Sequence, residues 1–372
     1  MNRVSAVKII GSIGLVISML LNGCTTNSIT DNNVSGNDLT ATEVIRLMGN
    51  GINLGNTLEA YNHKSYVELG VDPTSFETLW GQPVTTRDMI DDMKAMGFDT
   101  LRIPVAWTNG INYESGDYTI DERLMNRVDE VVNYALDADM YVILNEHWDG
   151  SWWGMFGSAD EAVREKGMAL YKSMWTQISE HFSDYSYKLI FESANEELCH
   201  RLNDSDVTGT EGVLSEDECY ETTNRINSEF VKLVRSTGGK NADRFLLIAG
   251  YNTDFRKTCD DRYQMPEDTA KDKLLLSVHY YTPWDYCSDG NAKRWGTPGD
   301  YEEQNSLFQM LTKFTDRGYG VVIGEYAVMG AANKPDRDKF YANLLDNCDL
   351  YNYCPVLWDC SDFYKRALRK TT

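Results

Sequence analysis

Two acidic residues stand out by position rather than by type. The chain has 57 Asp and Glu, so a glutamate alone says little, but Glu196 and Glu325 each close an apolar run, LIFESANE and VVIGE. A solvated loop glutamate would have polar neighbours, whereas these have apolar or small ones. Two facing carboxyls in different protonation states suit cleavage of a glycosidic bond. The protonated one assists the departing oxygen, the ionised one attacks the anomeric carbon, and a retaining enzyme holds them about 5 to 5.5 Å apart. Arg102, at the end of an earlier apolar run, would keep Glu325 ionised, while burial and a negative neighbour would raise the Glu196 carboxyl. The expectation is Glu196 as acid/base and Glu325 as nucleophile.

Other apolar runs also end in polar or aromatic groups: His147, Asn195 beside Glu196, His279 with Tyr281, and Trp358 with Asp359. The two histidines are either satisfied core residues or part of the site, and neither has metal-ligand spacing. Trp358 reads as a plug or as the floor of a sugar subsite. Glu192, four residues before Glu196, has inward parity and reads as a buried partner for a basic group.

These residues need a frame that gathers them. Eight runs read as buried strands: 51–56, 100–105, 141–147, 188–193, 244–250, 274–281, 321–326 and 353–359. Amphipathic stretches at 86–96, 121–139, 159–182, 216–237, 302–317 and 336–346 separate them, and continuously apolar strands alternating with helices imply a parallel sheet. Eight such units make a closed α/β barrel of the (β/α)8 TIM type, whose chemistry sits at the C-terminal strand ends. The last run closes at 359 of 372 residues. The eighth helix is therefore expected to be short or absent, and the barrel bottom partly uncovered.

The domain plan is a leader over 1–23, a flexible tether over 24–42 and one catalytic domain over 43–372. Arg3 and Lys8, the apolar run 9–21 and Cys24 form a lipobox-like signal, too short for a stable transmembrane helix. Cys24 is the expected lipidation site, with plain secretion as the alternative, and the protein is expected outside the cell or at its surface. Residues 25–42 are polar and without apolar periodicity. A net charge of −22 disfavours nucleic acid and anionic membrane surfaces, leaving the lipid as the membrane contact and a neutral polymer as partner to a monomer. Aromatics, 12% of the chain, suit stacking on sugars as well as core filling. Seven cysteines remain beyond Cys24, and Cys199 and Cys219 flank a polar insertion where a bridge would fit. No ligand spacing argues for a metal, and no cofactor is expected.

The segments GINLGNTLEA, WGQPVTTRDMIDDMKAMGFDTLRIPVAW, YVILNEHWDG, LIFESANEE, AGYNTD, SVHYYTP, VVIGEY and VLWD resemble the successive motifs of glycoside hydrolase family five, most closely its bacterial endoglucanase branch. The resemblance runs from about residue 43 to 360. It implies Glu196 as acid/base, Glu325 as nucleophile, Asn195 on the sugar 2-hydroxyl, Arg102 and Tyr281 on the nucleophile, His147 and His279 in support, and Trp358 as the −1 platform. Relatives often carry His-His-Asp where this chain has His147-Trp148-Asp149, so the contact made there by Trp148 differs. Trp152 and Trp153, on the same loop, are subsite rings or loop packing. The implied activity is retaining endo-β-1,4-glucanase, with xyloglucanase or β-mannanase as alternatives. A non-catalytic glycan-binding lipoprotein is opposed by the intact Glu196, Glu325, Arg102 and Asn195. An esterase would need a ligand cluster or a Gly-x-Ser-x-Gly elbow that the sequence lacks.

Overall fold

The computed structural model describes residues 38–147, 149–288, 292–330 and 334–371. The leader, Cys24, most of the tether and Trp148 lie outside the described residues.

Eight strands follow the sequence pattern: β1 (Gly51–Asn53), β2 (Thr100–Ile103), β3 (Tyr141–Asn145), β4 (Leu189–Glu192), β5 (Leu246–Ala249), β6 (Leu274–Tyr280), β7 (Gly320–Tyr326) and β8 (Tyr353–Leu357). They pair in chain order, all parallel, and β1 closes on β8 with Gly51 opposite Val356. The expected closed barrel is therefore present. Each strand is buried on both faces, inward by the barrel and outward by helices, which is why the runs are apolar throughout rather than alternating.

The helices are α1 (Ala41–Met48), α2 (His63–Leu69), α3 (Arg87–Ala95), α4 (Glu122–Asp137), α5 (Glu161–His181), α6 (Glu216–Ser236), α7 (Phe255–Thr258), α8 (Trp284–Cys287), α9 (Pro298–Met310), α10 (Thr312–Thr315) and α11 (Arg337–Tyr351). In α4 the buried Leu124, Val128, Val131, Val132 and Ala135 recur at helical spacing and face the strands. Ser215 and Glu218 form a capping box that starts α6, and Thr297 and Asp300 do the same for α9. Such caps contribute about 1 kcal/mol each.

Two expectations need correction. The ordered chain starts before residue 43: Leu39 and Ala41 are buried, and Thr40 caps α1 through a box with Glu43. Nor is the bottom open. After β8, among the described residues, come a short hairpin (Tyr364–Lys365 with Lys370–Thr371) and a 3-10 turn, but α1 lies across the N-terminal strand ends and closes them. Val44, Ile45 and Met48 pack on Tyr141, Ile190, Leu247, Leu275, Val322 and Val356, all inward-facing. The Ala41 amide donates to the carbonyl of Asp272 at 2.8 Å, and Thr100 Oγ1 donates to the carbonyl of Met48 at 2.6 Å. The polar start of this helix hides its apolar face in a short window, so it reads as tether.

Candidate active site

At the opposite end, inward residues near the strand tips are polar. Arg102, fully buried, is the hub. Its Nε donates to Glu192 Oε2 at 2.7 Å, Nη1 to Asn53 Oδ1 at 3.0 Å and to Glu325 Oε1 at 2.8 Å, and Nη2 to Asn195 Oδ1 at 2.9 Å. Glu192 is thus the buried partner of a base that its parity implied, and Ser277 Oγ donates to its other oxygen at 2.6 Å. Two buried carboxylates around the guanidinium keep it protonated despite burial.

Glu325 reaches the interior through an irregularity. In β7, Val321 and Ile323 pack outward against helices, while Val322 faces the barrel interior. Strict alternation would turn Glu325 outward with Ile323. Instead Val278 pairs with Ile323 and the next pair is His279 with Glu325, so Gly324 is the extra residue of a bulge and the parity flips. Asn53 Nδ2 holds the Gly324 carbonyl at 2.9 Å. A Cβ on Gly324 would stand 3.1 Å from both His279 Nε2 and Ser277 Oγ, which favours glycine there.

Tyr281 Oη donates to Glu325 Oε2 at 2.9 Å and Arg102 Nη1 to Oε1, so both oxygens of Glu325 are held. His279 Nδ1 lies 2.8 Å from Glu196 Oε1 and 3.7 Å from Glu325 Oε2. Ligating atoms of Glu196, His279 and Glu325 all fall within 4.8 Å of one another, which brings the two carboxyls together across the mouth. That proximity would also suit a cation, but Arg102 already supplies positive charge to Glu325. His147 stacks on Trp358 with ring centroids 5.9 Å apart and planes at 13°. Gly55 admits the ring: a Cβ there would come within 2.9 Å of the indole and 2.8 Å of the Asp359 carbonyl. A cleft of about 430 Å³ is lined by His147, Asn195, Glu196, Glu325 and Trp358, with Arg201 and Asp204 from the loop after β4.

The electrostatics reverse the expected division. Burial pushes Glu196 up, but the hydrogen bond and charge of His279, with Arg201 and Arg102, outweigh it and leave the carboxyl below its ordinary range. Burial raises Glu325, and the charges of His279 and Arg102 only partly offset it. The reason is proximity: the imidazole is closer to Glu196 than to Glu325.

Trp152 does not line the cleft. It is fully buried, stacked on Trp153 at 4.4 Å and 24°, and belongs to the layer between barrel and α5. Cys199 and Cys219 are unbridged, and the Cys199 thiol donates to Asn252 Oδ1 at 3.1 Å.

Sequence reasoning missed a second acidic group beside the barrel. Glu146, Asp149 and Glu197 are buried within electrostatic reach of one another, with Asp149 and the Trp152 indole against the Glu146 carboxyl. Burial first, then mutual repulsion, pushes Glu146 well up. Burial with Glu196 alongside takes Glu197 to about 8, and burial takes Asp149 to about 7. The available signal was their place in LNEHWDG and ANEEL, between apolar runs. Arg201 and Asp204 belong to the polar insertion read only as a loop.

The sequence model of the family described as cellulase (glycosyl hydrolase family 5) matches residues 64–363. The chain is similar to endoglucanase A of Paenibacillus barcinonensis, 33% identical over 354 residues that cover 86% of this chain and 82% of the relative. It is also similar to a xyloglucan-specific endo-beta-1,4-glucanase of Bacteroides ovatus, 31% identical, covering 92% and 69%. Among solved structures, a subfamily 4 broad-specificity endoglucanase from Ruminococcus champanellensis with bound cellotriose superposes with a TM-score of 0.77 at 31% identity, covering 90% of this chain and 96% of that one.

Proposed function

The chain belongs to glycosyl hydrolase family 5 and is an endo-1,4-β-glucanase, and we propose that it works by double displacement with retention, Glu325 as nucleophile and Glu196 as acid/base. The observation that carries this reading is the approach of the two carboxyls, with atoms within 4.8 Å where an inverting pair stands about 6.5 to 9.5 Å apart.

Glu325 attacks the anomeric carbon while Glu196 gives its proton to the leaving 4-oxygen, which breaks the glycosidic bond and leaves a glycosyl ester on Glu325. Glu196, now ionised, takes a proton from water, whose oxygen displaces Glu325. The proton must therefore stand on Glu196 when the leaving oxygen departs, and His279 Nδ1, 2.8 Å from Glu196 Oε1, orients that carboxyl. Arg102 and Tyr281 donate to the nucleophile and favour its ionised form. Asn195, held by Arg102, presents its side chain to the cleft at the place for a sugar 2-hydroxyl, and Trp358 backed by His147 serves as the −1 platform.

The substrates proposed are cellulose-type, mixed-linkage and xyloglucan backbones, supported by the relatives named above and by a cleft where Asn195, Arg201 and Asp204 stand beside the Trp358 ring. Hydrolysis of carboxymethyl-cellulose, lichenan, xyloglucan, xylan and mannan side by side tests the range, and proton NMR of the first-formed anomer tests the stereochemistry. An initial α-anomer would overturn retention. We further propose an extracellular, lipid-anchored enzyme, supported by the leader-like segment ending at Cys24. An unlipidated mature N-terminus in mass spectrometry would leave plain secretion.

A further inference from the structure

β4 and β7 carry the two carboxyls and divide the ring of strands into two arcs, β8–β1–β2–β3 on one side and β5–β6 on the other. A glucan passing between Glu196 and Glu325 runs from one arc to the other. Trp358, after β8, and His147, after β3, stand on the first arc and mark the glycone side. The second arc carries one large exposed ring among the described residues, Trp284, which follows β6 and is 62% exposed.

A single exposed apolar side chain needs no explanation by itself. Trp284 differs in what it touches. Its ring meets Tyr281 edge-on, centroids 6.0 Å apart and planes at 82°, and Tyr281 Oη is 2.9 Å from Glu325. The indole is thus one side chain removed from the reacting centre. Its short helix α8 is anchored from below: Tyr286 and Cys287 are buried, the Met329 amide donates to the Cys287 carbonyl at 2.7 Å, and the Lys334 ammonium donates to the carbonyls of Tyr286 and Ser288. A rigid, flat ring on a fixed base at the mouth suits the apolar face of a pyranose.

Resting on the mechanism above, we propose that Trp284 is the stacking platform for a glucosyl unit on the leaving-group side of the scissile bond. It would bind the departing chain in the first half-reaction and a sugar acceptor in the second.

The test compares Trp284→Ala and Trp284→Tyr with the wild type on lichenan, on dinitrophenyl β-cellobioside, and on the latter with cellobiose as acceptor. The expected result for Trp284→Ala is that kcat/KM on lichenan relative to that on the aryl cellobioside falls by about tenfold, the size of one lost ring contact. Transfer to cellobiose relative to water should fall by a similar factor, and Trp284→Tyr should recover most of both. Equal losses on both substrates would mean that the ring acts through Tyr281, and no loss on either would mean that it binds no sugar; both leave the ratio unchanged and overturn the proposal. Failure of the underlying mechanism is visible separately, as inverted products from the wild type. Melting temperatures of both variants guard against misfolding, with the tyrosine variant deciding if alanine destabilises.

Discussion

Asn53 Nδ2 donates to the carbonyl of Gly324 at 2.9 Å, so a residue of the first strand holds the bulge that turns the nucleophile inward on the seventh. The same asparagine accepts from Arg102, which links bulge and guanidinium in one network. Gly324→Ala should fold, because the glycine needs no left-handed backbone, but its Cβ would press on His279 Nε2 and Ser277 Oγ. The expected outcome is a fall in kcat of about 10²-fold from displaced geometry, with little change in KM. Wild-type kinetics in this variant would show that the bulge tolerates a side chain and does not fix Glu325.

Glu196→Ala and Glu325→Ala should both lose activity on polysaccharide and separate on an activated aryl glycoside. A good leaving group does not need the proton of Glu196, so Glu196→Ala should still form the glycosyl-enzyme and stall at its hydrolysis. Azide needs no base and should rescue it as the β-glycosyl azide, whereas Glu325→Ala should give the α-azide. Azides of the opposite configurations would mean that the two roles are exchanged.

Arg102→Ala should leave Glu192 and Glu325 buried without their cation, a loss of about 3 to 5 kcal/mol readable in urea unfolding. Arg102→Lys keeps a charge but cannot make four directed bonds, so it should fold and lose kcat by roughly 10²-fold. Near-normal kcat in the lysine variant would reduce Arg102 to a counter-charge.

Stability should fall as pH rises. The folded state keeps protons on Glu146, Asp149 and Glu197 that the unfolded chain releases near ordinary carboxyl values, so stability is lost between about pH 4.5 and 8. A carboxyl that holds its proton one pH unit longer in the folded state than in the unfolded chain contributes about 1.4 kcal/mol to this loss. Glu197→Gln should flatten the curve of melting temperature against pH and stabilise the protein most at pH 8. A melting temperature that rises from pH 5 to 8 would contradict the protonated cluster.

Trp152→Ala and Trp358→Ala should part company. Loss of the buried, stacked Trp152 opens a cavity costing about 3 to 5 kcal/mol, whereas the partly exposed Trp358 should cost little stability and much kcat/KM. Calorimetry and steady-state kinetics on both variants check the contrast.

The barrel and its central pair were legible because the signals are local. Most strands are largely apolar runs, with Glu196, Glu325 and His279 at or just past their ends and Arg102 next to the end of β2. What stayed hidden depends on partners far apart in sequence. Trp152 looks like any loop tryptophan until α5 covers it. The Gly324 bulge leaves no mark in VVIGEY, since parity is defined by the neighbouring strand. The opposite shifts of the Glu196 and Glu325 carboxyls depend on burial and partly on one imidazole that stands 2.8 Å from the first and 3.7 Å from the second. The start of helix α1 was missed because residues 39–42 look like the end of a tether until the strand ends that the helix covers are in view.

That helix also gives the molecule a direction. Because α1 seals the pole opposite the cleft, the chain joins the barrel from behind the catalytic face. On the proposed lipid attachment at Cys24, the tether would join the sealed pole and leave the cleft clear of it. Polymers too large to approach the envelope could then be gripped mid-chain from the medium, without their ends having to thread between enzyme and bilayer.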